Sequence, residues 1–202
     1  NPDGDCEPLR ALLRPGMKLT IAFDDISLPL PPMKRPDIRQ RIIEAVLDLA
    51  AAAGVDDVEL IAALALHRRM TESELRHALG DRVYDAFAPS GHLYNHDAED
   101  PDNLTELGTT GTGEVVEMNK RAADSDLLVY VNINIVSMDG GWKSTATGLS
   151  SYKSIRHHHN VKTMEHSRSF MDRHNSELHH SNWRMGDVLK ANGPKIFQIE
   201  TT

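Results

Sequence analysis

The sequence lacks several features that would assign a protein to a class at once. It has a single cysteine, Cys6, so no intrachain disulfide can form, and this cysteine content fits a reducing compartment. No apolar run approaches the length of a membrane span. Lys and Arg number 22 against 30 Asp and Glu, and the formal charge of −8 argues against binding to a nucleic-acid backbone. We therefore expect a cytoplasmic protein without a nucleic-acid or membrane partner.

Tandem repeats and low-complexity tracts are also absent, and 202 residues are enough for one domain with a sizeable core. The first residue is Asn1 rather than Met, and the final "KIFQIETT" has the pattern of a strand that stops abruptly. We expect a piece of a longer protein, cut between domains. Residues 1–16 are predicted to be an N-terminal extension, and residues 17–202 one domain.

Helix signals occur in three segments. The first carries four apolar residues at helical spacing, namely Ile38, Ile42, Val46 and Leu49. Pro36 suits the first turn of this helix. A second helix is predicted to start at Thr71, which has capping-box spacing to Glu74, and a third covers residues 178–190. Residues 81–102 read as a polar, turn-rich segment.

Strand signals alternate with these helices. "KLTIAFD", "DVELIAALA", "DLLVYVNINIV" and "KIFQIE" have the composition of buried strands, and "LTELGTTGTGEVVEMN" reads as two extended pieces around a glycine turn. This alternation predicts an α/β fold with a largely parallel sheet flanked by helices. In such sheets ligands bind at the carboxyl ends of the strands. The loops "DDISLP", "LHRR" and "SMDGGWK" follow three of the predicted strands, so we expect them at the same edge.

The loop "GGWK" places Lys143 shortly after Gly140 and Gly141. The spacing does not match a phosphate-binding P-loop. A desolvated lysine amine can act as a covalent anchor, whereas a lone lysine in such a loop is more often simply solvated. The residues alone leave both interpretations open.

Histidines supply the other candidates for chemistry. Three of them, His157, His158 and His159, are consecutive, and imidazole binds nickel, zinc and copper. Neighbouring side chains diverge, so at most one or two could bind one ion, and a polar loop or helix end is the alternative. His67 follows a predicted strand, where it could be a general base or a histidine bonded to the loop backbone. Asp24 and Asp25 could position a substrate or a histidine, or form a turn.

Seven motifs occur together in one order: "DDISLP", "LHRRMTESEL", "HDAED", "LGTTGTGEVVEMN", "ADSDLLVYVNINI", "GGWKSTATGLSS" and "SIRHHHN". In this order and rough spacing the chain resembles the nickel-dependent lactate racemase family. The resemblance runs from about residue 18 to the end and covers the N-terminal domain of that family. It implies a Rossmann-like domain whose C-terminal partner domain is absent from this chain.

The resemblance also implies a cofactor and its attachment. Family members use a nickel pincer nucleotide, a pyridinium mononucleotide whose two thio-acyl arms hold nickel. Lys143 matches the lysine that forms a thioamide with this cofactor, and His159 matches the histidine that ligates the nickel, with His158 as a second possibility. Gly140 and Gly141 would let the backbone approach the cofactor closely.

The family reaction implies roles for two further residues and a substrate class. Hydride passes from the carbon bearing the hydroxyl to the pyridinium ring, while a base takes the hydroxyl proton of a 2-hydroxy acid. His67 matches the first acid/base histidine, and Asp25 matches the aspartate of the family's "DxTRP" motif. The resemblance thus implies a racemase or epimerase that forms its site with a C-terminal domain; a homo-oligomer is also possible.

Two departures from the family pattern bear on the substrate. Leu28 stands where the family has an arginine suited to gripping a carboxylate, and "NINIVSMDGG" contains no second acid/base histidine. Asn132 or Asn134 could bond a hydroxyl but cannot act as a base, and Asp139 is a candidate replacement. We therefore expect a hydroxy acid other than simple lactate. The alternatives are net redox or elimination chemistry with the same cofactor, or a non-catalytic metal- or ligand-binding module.

Overall fold

A computed structural model describes residues 6–25 and 33–201. Within this part of the chain the central element is a five-stranded parallel sheet in the order β3-β2-β1-β6-β7, accompanied by an antiparallel ribbon of β4 and β5. The strands are β1 (Lys18–Asp24), β2 (Asp57–Ala63), β3 (Leu93–Asn95), β4 (Leu104–Thr109), β5 (Val115–Asn119), β6 (Leu127–Ile133) and β7 (Lys195–Thr201). The predicted α/β fold with a parallel sheet is confirmed.

Helices cover both faces of this sheet. They are α1 (Leu9–Leu12), α2 (Ile38–Ala52), α3 (Glu72–Leu79), α4 (Asp81–Phe87), α5 (Lys120–Ala123), α6 (Trp142–Gly148), α7 (Tyr152–Ile155), α8 (Val161–His166) and α9 (Glu177–Asn192). The first four pack on one face, and α5, α6 and α9 with the ribbon pack on the other. The result is a three-layer arrangement.

Alternation along the strands explains the two cores. In β1, Leu19, Ile21 and Phe23 point into the core under α1 to α4, whereas Ala22 points into the core under α6 and α9. Each of these side chains is fully buried. Burying one large apolar side chain contributes about 1.5–3 kcal/mol, so a strand apolar on both faces is held firmly in the centre of the sheet.

The sheet order has a reversal that determines where a ligand can bind. From β1 the chain builds outward to β2 and β3 on one side, and then to β6 and β7 on the other. The connections after β1 and β6 therefore leave in opposite directions at the carboxyl edge, and they open a crevice there. Asp25, directly after β1, and the loops after β2 and β6 meet around this crevice, as the sequence predicted; the "ISLP" of "DDISLP" lies outside the described residues.

Several helix details differ from the predictions. Helix α2 begins at Ile38 with Asp37 as its N-cap, so Pro36 lies before the helix and the prediction that it occupies the first turn is wrong. The buried face of α2 is rotated from the predicted one and carries Arg39, Ile43, Val46 and Ala50. Leu49 is accordingly 39% exposed. Residues 81–102, predicted to be a turn-rich segment, contain α4 and β3.

Other local predictions are confirmed. Thr71 is the N-cap of α3, and its side chain and that of Glu74 form both bonds of the capping box. The ribbon of β4 and β5 has the predicted turn, and α9 and β7 lie where a helix and a final strand were expected. The division into an extension (1–16) and a domain (17–202) stays a prediction; within the predicted extension, Leu9, Leu12 and Leu13 are buried in the core under α2.

Candidate active site

A cleft of about 820 Å³ lies at the carboxyl edge of the sheet, at the point where the strand order reverses. Five of the six residues predicted to form the site line it: Asp25, His67, Gly140, Lys143 and His159. They come from the loops after β1, β2 and β6 and from the segment after α7. The parallel sheet thus brings together residues that are more than a hundred positions apart in sequence.

His67 and Asp25 form an ion pair at one side of the cleft. The His67 Nδ1 and Asp25 Oδ2 atoms are 2.9 Å apart, and the histidine side chain is 43% exposed. The hydrogen bond from Asp25 raises the pKa of His67, and partial burial opposes this. Asp25 therefore fixes the orientation of the ring and leaves Nε2 as its second nitrogen. This is the arrangement of a histidine that exchanges protons near neutral pH.

Lys143 lies in the first turn of α6, where its Nζ is 3.0 Å from Asp139 Oδ1. The other oxygen of Asp139 accepts the backbone N–H groups of Ile135 and Val136, each at 3.1 Å. The Asp139 carboxylate is thus committed to the lysine and to the loop after β6. This loop in turn fixes the position from which the lysine enters the cleft.

The glycine pair before Lys143 packs tightly against neighbouring side chains. Gly140 has φ +81°, and a Cβ there would lie 2.8 Å from Asn134 Oδ1 and 2.9 Å from Glu200 Oε1. Gly141 donates its N–H to Glu200 Oε1 at 2.6 Å, and it borders the groove beside β7 rather than the cleft. Of the two glycines predicted to bind a cofactor, only Gly140 lines the cleft.

The three consecutive histidines have three different environments. His157 accepts the N–H of Val115 on the ribbon, His158 is buried, and His159 lines the cleft with part of its surface open to solvent and the rest covered by the protein. The Nδ1 atoms of His158 and His159 are 2.7 Å apart. Burial lowers the pKa of His158 to about 3 and also lowers that of His159, to which the nearby charge of Lys143 adds. His159 is therefore a neutral imidazole facing the cleft, with His158 behind it.

Asp24, which the sequence left as a turn former or positioning group, lines the floor of the cleft. Its carboxylate accepts the N–H of Ile133 at 2.7 Å and the hydroxyl of Tyr130 at 3.2 Å. Burial raises the pKa of Asp24 to about 6, although both hydrogen bonds act in the opposite direction. Burial likewise raises the pKa of the Tyr130 phenol well above its ordinary value.

Arg39 is a site residue that sequence reasoning missed. Its guanidinium is buried, forms a salt bridge of 2.7 Å with Asp37, and donates to the backbone carbonyls of Asp24 at 2.8 Å and Asp25 at 3.1 Å. It therefore holds the end of β1 from which both carboxylates project. The sequence signal was an arginine two residues after an N-cap aspartate, but only the packing of α2 shows that it points inward.

The remaining predictions concern Leu28, Asn132, a metal site and a membrane span. Leu28 lies outside the described residues. Asn132 is 1% exposed at the cleft floor, and its Nδ2 has no hydrogen-bond partner within the described part of the chain. Across residues 6–25 and 33–201, no group of three or more His, Cys, Asp or Glu side chains is arranged to hold a metal ion. In the same ranges no helix has the length and apolar character needed to cross a membrane.

Comparison with known proteins identifies relatives of one kind. The family model for the lactate racemase N-terminal domain matches residues 1–172. A lactate racemase from Lactiplantibacillus plantarum is 26% identical over 165 residues, which are 79% of this chain and 36% of that protein. A lactate racemase from Thermoanaerobacterium thermosaccharolyticum is 27% identical over 107 residues, which are 51% of this chain and 24% of that protein.

Solved structures share the fold. The lactate racemase apoprotein from Thermoanaerobacterium thermosaccharolyticum superposes with a TM-score of 0.76 at 21% identity, covering 100% of this chain and 46% of that one. A protein from Thermotoga maritima superposes with a TM-score of 0.70 at 16% identity, covering 95% and 49%. The chain therefore spans about half the length of these structures and about a third or less of the curated relatives.

Proposed function

This chain belongs to the lactate racemase N-terminal domain family, and from that premise we propose that it is the cofactor-carrying part of a racemase or epimerase acting on a 2-hydroxy acid. The observation that carries the proposal is that Lys143, His159 and the pair of His67 and Asp25 line a single cleft. An amine, a neutral imidazole and a histidine with a carboxylate partner are the groups that such a reaction requires of the protein.

The volume of the cleft, about 820 Å³, is within the range of small-molecule and cofactor sites, and its lining includes groups that suit a nickel pincer nucleotide. Lys143 would provide the amine for a thioamide bond, and His159 would provide an imidazole nitrogen for nickel, which imidazole suits. Gly140 contributes by positioning the loop that carries Lys143, since a Cβ at this residue would collide with Asn134 and Glu200. When bound, the cofactor would supply the hydride acceptor and donor of the reaction.

Residues of this chain would transfer the hydroxyl proton of the substrate. We assign His67 Nε2 as the atom that takes the hydroxyl proton of the substrate, because Nδ1 is bonded to Asp25. The carboxylate of Asp25 stabilises the imidazolium that forms, which is the same effect that raises the pKa of the free histidine. Arg39 holds Asp25 in place through the backbone at the end of β1.

The substrate class follows from what the cleft offers a carboxylate. Among its described cationic side chains, Arg39 is bonded to Asp37, Arg68 to Glu74 and Lys143 to Asp139. With Leu28 in place of the family arginine, we propose that the substrate is a 2-hydroxy acid other than simple lactate. Because the chain spans about half of its solved relatives, we also propose that a C-terminal domain completes the cleft.

The test of this proposal is the intact mass of the longer protein after expression with the enzymes that make the cofactor. An adduct on the wild type that is lost in Lys143→Ala would support the tether. Lys153→Ala is the matched control, because Lys153 pairs with Glu106 and Glu117 on the ribbon instead of lining the cleft. A wild-type protein without an adduct, or an adduct that survives in Lys143→Ala, would reject the assignment.

Net redox or elimination chemistry with the same cofactor is the second candidate. It is favoured by one observation: Asp139, which could have replaced the missing histidine, is committed to Lys143 and to its own loop. Product analysis separates the two candidates. Interconversion of stereoisomers without net loss of substrate supports the racemase or epimerase, whereas accumulation of a keto or dehydrated acid supports the second candidate.

A further inference from the structure

We propose that Asp24 is the second proton-transfer group of this cleft, acting on the substrate from the side opposite His67. The proposal rests on the proposed racemase or epimerase function and supplies the group that the family's second histidine would have provided. To change configuration, the planar keto acid has to turn over so that its other face receives the hydride. This movement would carry its oxygen away from His67, so a second acid/base group is needed on the other side of the substrate.

The sheet places the two groups on opposite sides of β1. His67 follows β2, which is the neighbour of β1 on one side. The carboxylate of Asp24 is bonded to β6, the neighbour on the other side, through the N–H of Ile133 and the hydroxyl of Tyr130. Both residues line the cleft. A planar substrate carbonyl seated over the end of β1 would therefore have one group at each side.

The other carboxylates of the cleft are committed elsewhere. Those that line it within the described residues are Asp24, Asp25, Glu74 and Asp139. Asp25 is bonded to His67, and Asp139 to Lys143 and two backbone N–H groups. Glu74 receives two hydrogen bonds from Arg68, which together with the N–H of Thr71 lower its pKa to about 2. Of these four carboxylates, only Asp24 accepts its hydrogen bonds from uncharged groups, namely the N–H of Ile133 and the hydroxyl of Tyr130.

Asp24 is also able to exist in both protonation states. Burial raises its pKa to about 6 against the hydrogen bonds from Ile133 and Tyr130, the charge of Asp25 adds to the rise, and the charge of Arg39 opposes it. A carboxyl group titrating near the working pH can act as a base in one direction and an acid in the other. The remaining lone pairs of its oxygens leave room for a further hydrogen bond.

The proton and electron balance is complete in each direction. In the forward direction His67 would take the proton of the broken O–H bond of the substrate, and the cofactor, when bound, would supply the acceptor for the hydride of the broken C–H bond. When the other face of the carbonyl carbon regains the hydride, Asp24 in its acid form would give its proton to the oxygen. His67 has gained one proton and Asp24 has lost one, and exchange with water restores both.

The experiment combines a direct titration with kinetics on the loaded, longer protein. Carboxyl resonances of ¹³C-labelled aspartate report the midpoint of Asp24, assigned by its loss in Asp24→Asn. The kinetics follow the interconversion of stereoisomers with a panel of 2-hydroxy acids, from lactate to six-carbon sugar acids. The rates are measured from about pH 4.5 to about pH 8, a range that extends to both sides of the Asp24 midpoint.

Two tyrosine variants test the hydrogen bond to Asp24. Tyr130→Phe removes one hydrogen bond to the carboxylate. Tyr94→Phe is the control, because the hydroxyl of Tyr94 bonds to Asn119 outside the cleft.

Asp24→Asn should retain the adduct on Lys143 and lose about 10²–10⁴-fold in interconversion. Tyr130→Phe should raise the NMR midpoint by about half to one pH unit and shift one limb of the pH–rate profile by the same amount, because a donor to the carboxylate is gone. Tyr94→Phe should change neither quantity.

Two results would overturn the proposal: interconversion in Asp24→Asn within about threefold of wild type, or a rate profile that stays in place while the NMR midpoint moves. If Asp24 had only a structural role, its replacement would lower activity, but the NMR midpoint and the pH–rate profile would not shift together in Tyr130→Phe. Absence of the adduct from the wild type, read from the same samples, would instead reject the proposed function and this inference with it.

Discussion

At the scale of single residues, the contact with Asp25 raises the pKa of His67, the histidine at one side of the cleft. Replacing Asp25 with Asn should lower the pKa of His67, because the charged partner that raises it is removed. Histidine ring NMR as a function of pH measures this directly. Asp97→Asn is a matched control, since Asp97 pairs with Arg69 instead. An unchanged His67 titration in Asp25→Asn would contradict the assigned contact.

The contact between His67 and Asp25 also makes the free energy of unfolding depend on pH. Because the pKa of His67 is raised in the folded protein, the pair stabilises the fold fully below the ordinary pKa of histidine, about 6.5. That contribution is lost as the pH rises through the raised value. The free energy of unfolding of the wild type should therefore fall more than that of Asp25→Asn between these two pKa values, as chemical denaturation at several pH values would show.

Single residues also mark the limit of what sequence could predict at the site. Lys143 and His67 were identifiable because a loop after a buried strand narrows the choice of positions. Arg39 was not, since a charged residue on the buried face of α2 is explained only by its bonds to Asp37 and to the end of β1. The raised pKa of Asp24 was equally out of reach, because it depends on burial beneath β6, a hundred residues away.

At the scale of elements, Glu114 fastens the ribbon to α9. Its carboxylate receives two hydrogen bonds from Arg184, at 2.6 and 2.7 Å, and one from Ser181 at 2.6 Å. Burial would raise the pKa of Glu114, but these bonds outweigh it and hold the pKa at about 2. The ribbon and α9 therefore depend on one ionised side chain between them.

Glu114→Gln should lower the free energy of unfolding by about 1–3 kcal/mol, a range kept modest because Arg184 is partly exposed. The pKa of Glu114 is depressed by folding, so its contribution is present above about 4.5 and is lost as the pH falls from there towards 2. Wild type and variant should consequently converge in stability in acid. A constant difference across that range would contradict this explanation.

Gly186 determines how closely α9 can pack against α6. A Cβ at this position would lie 2.4 Å from the ring of Trp142, the residue directly before Lys143. Gly186→Ala should lower the free energy of unfolding by about 1–3 kcal/mol and alter the fluorescence of Trp142. Gly111→Ala is the control, because no atom lies within 4 Å of its Cβ position, and it should leave both measurements unchanged.

The elements themselves were largely predictable, and the exceptions have physical reasons. Strands apolar on both faces and a complete capping box at Thr71 are strong local signals. The face of α2 was misjudged because Ile42 and Ile43 are both apolar, and only the salt bridge of Arg39 decides which side turns inward. Strand β3 was missed because its three residues acquire strand character by pairing with β2.

At the scale of the whole molecule, the cleft has an apolar rim open to solvent. Leu66, Ile135 and Val136 line it and are 45%, 54% and 42% exposed. If a C-terminal domain closes the cleft in the longer protein, hydrogen exchange in peptides covering residues 64–69 and 134–140 should be slower there than in this chain alone. A peptide covering 81–88 in α4 should exchange equally in both. Equal exchange at the rim would argue against closure by that domain.

The last strand of the chain has a practical consequence for anyone who shortens or tags the protein. Glu200 lies two residues from the end of the sequence, yet its two carboxylate oxygens hold Gly141 and Asn134, the supports of the loop that presents Lys143. A truncation that removes Glu200 would therefore release this loop as well as shorten the pairing of β7 with β6. A tag fused close behind Glu200 would likewise place foreign residues beside both of these contacts.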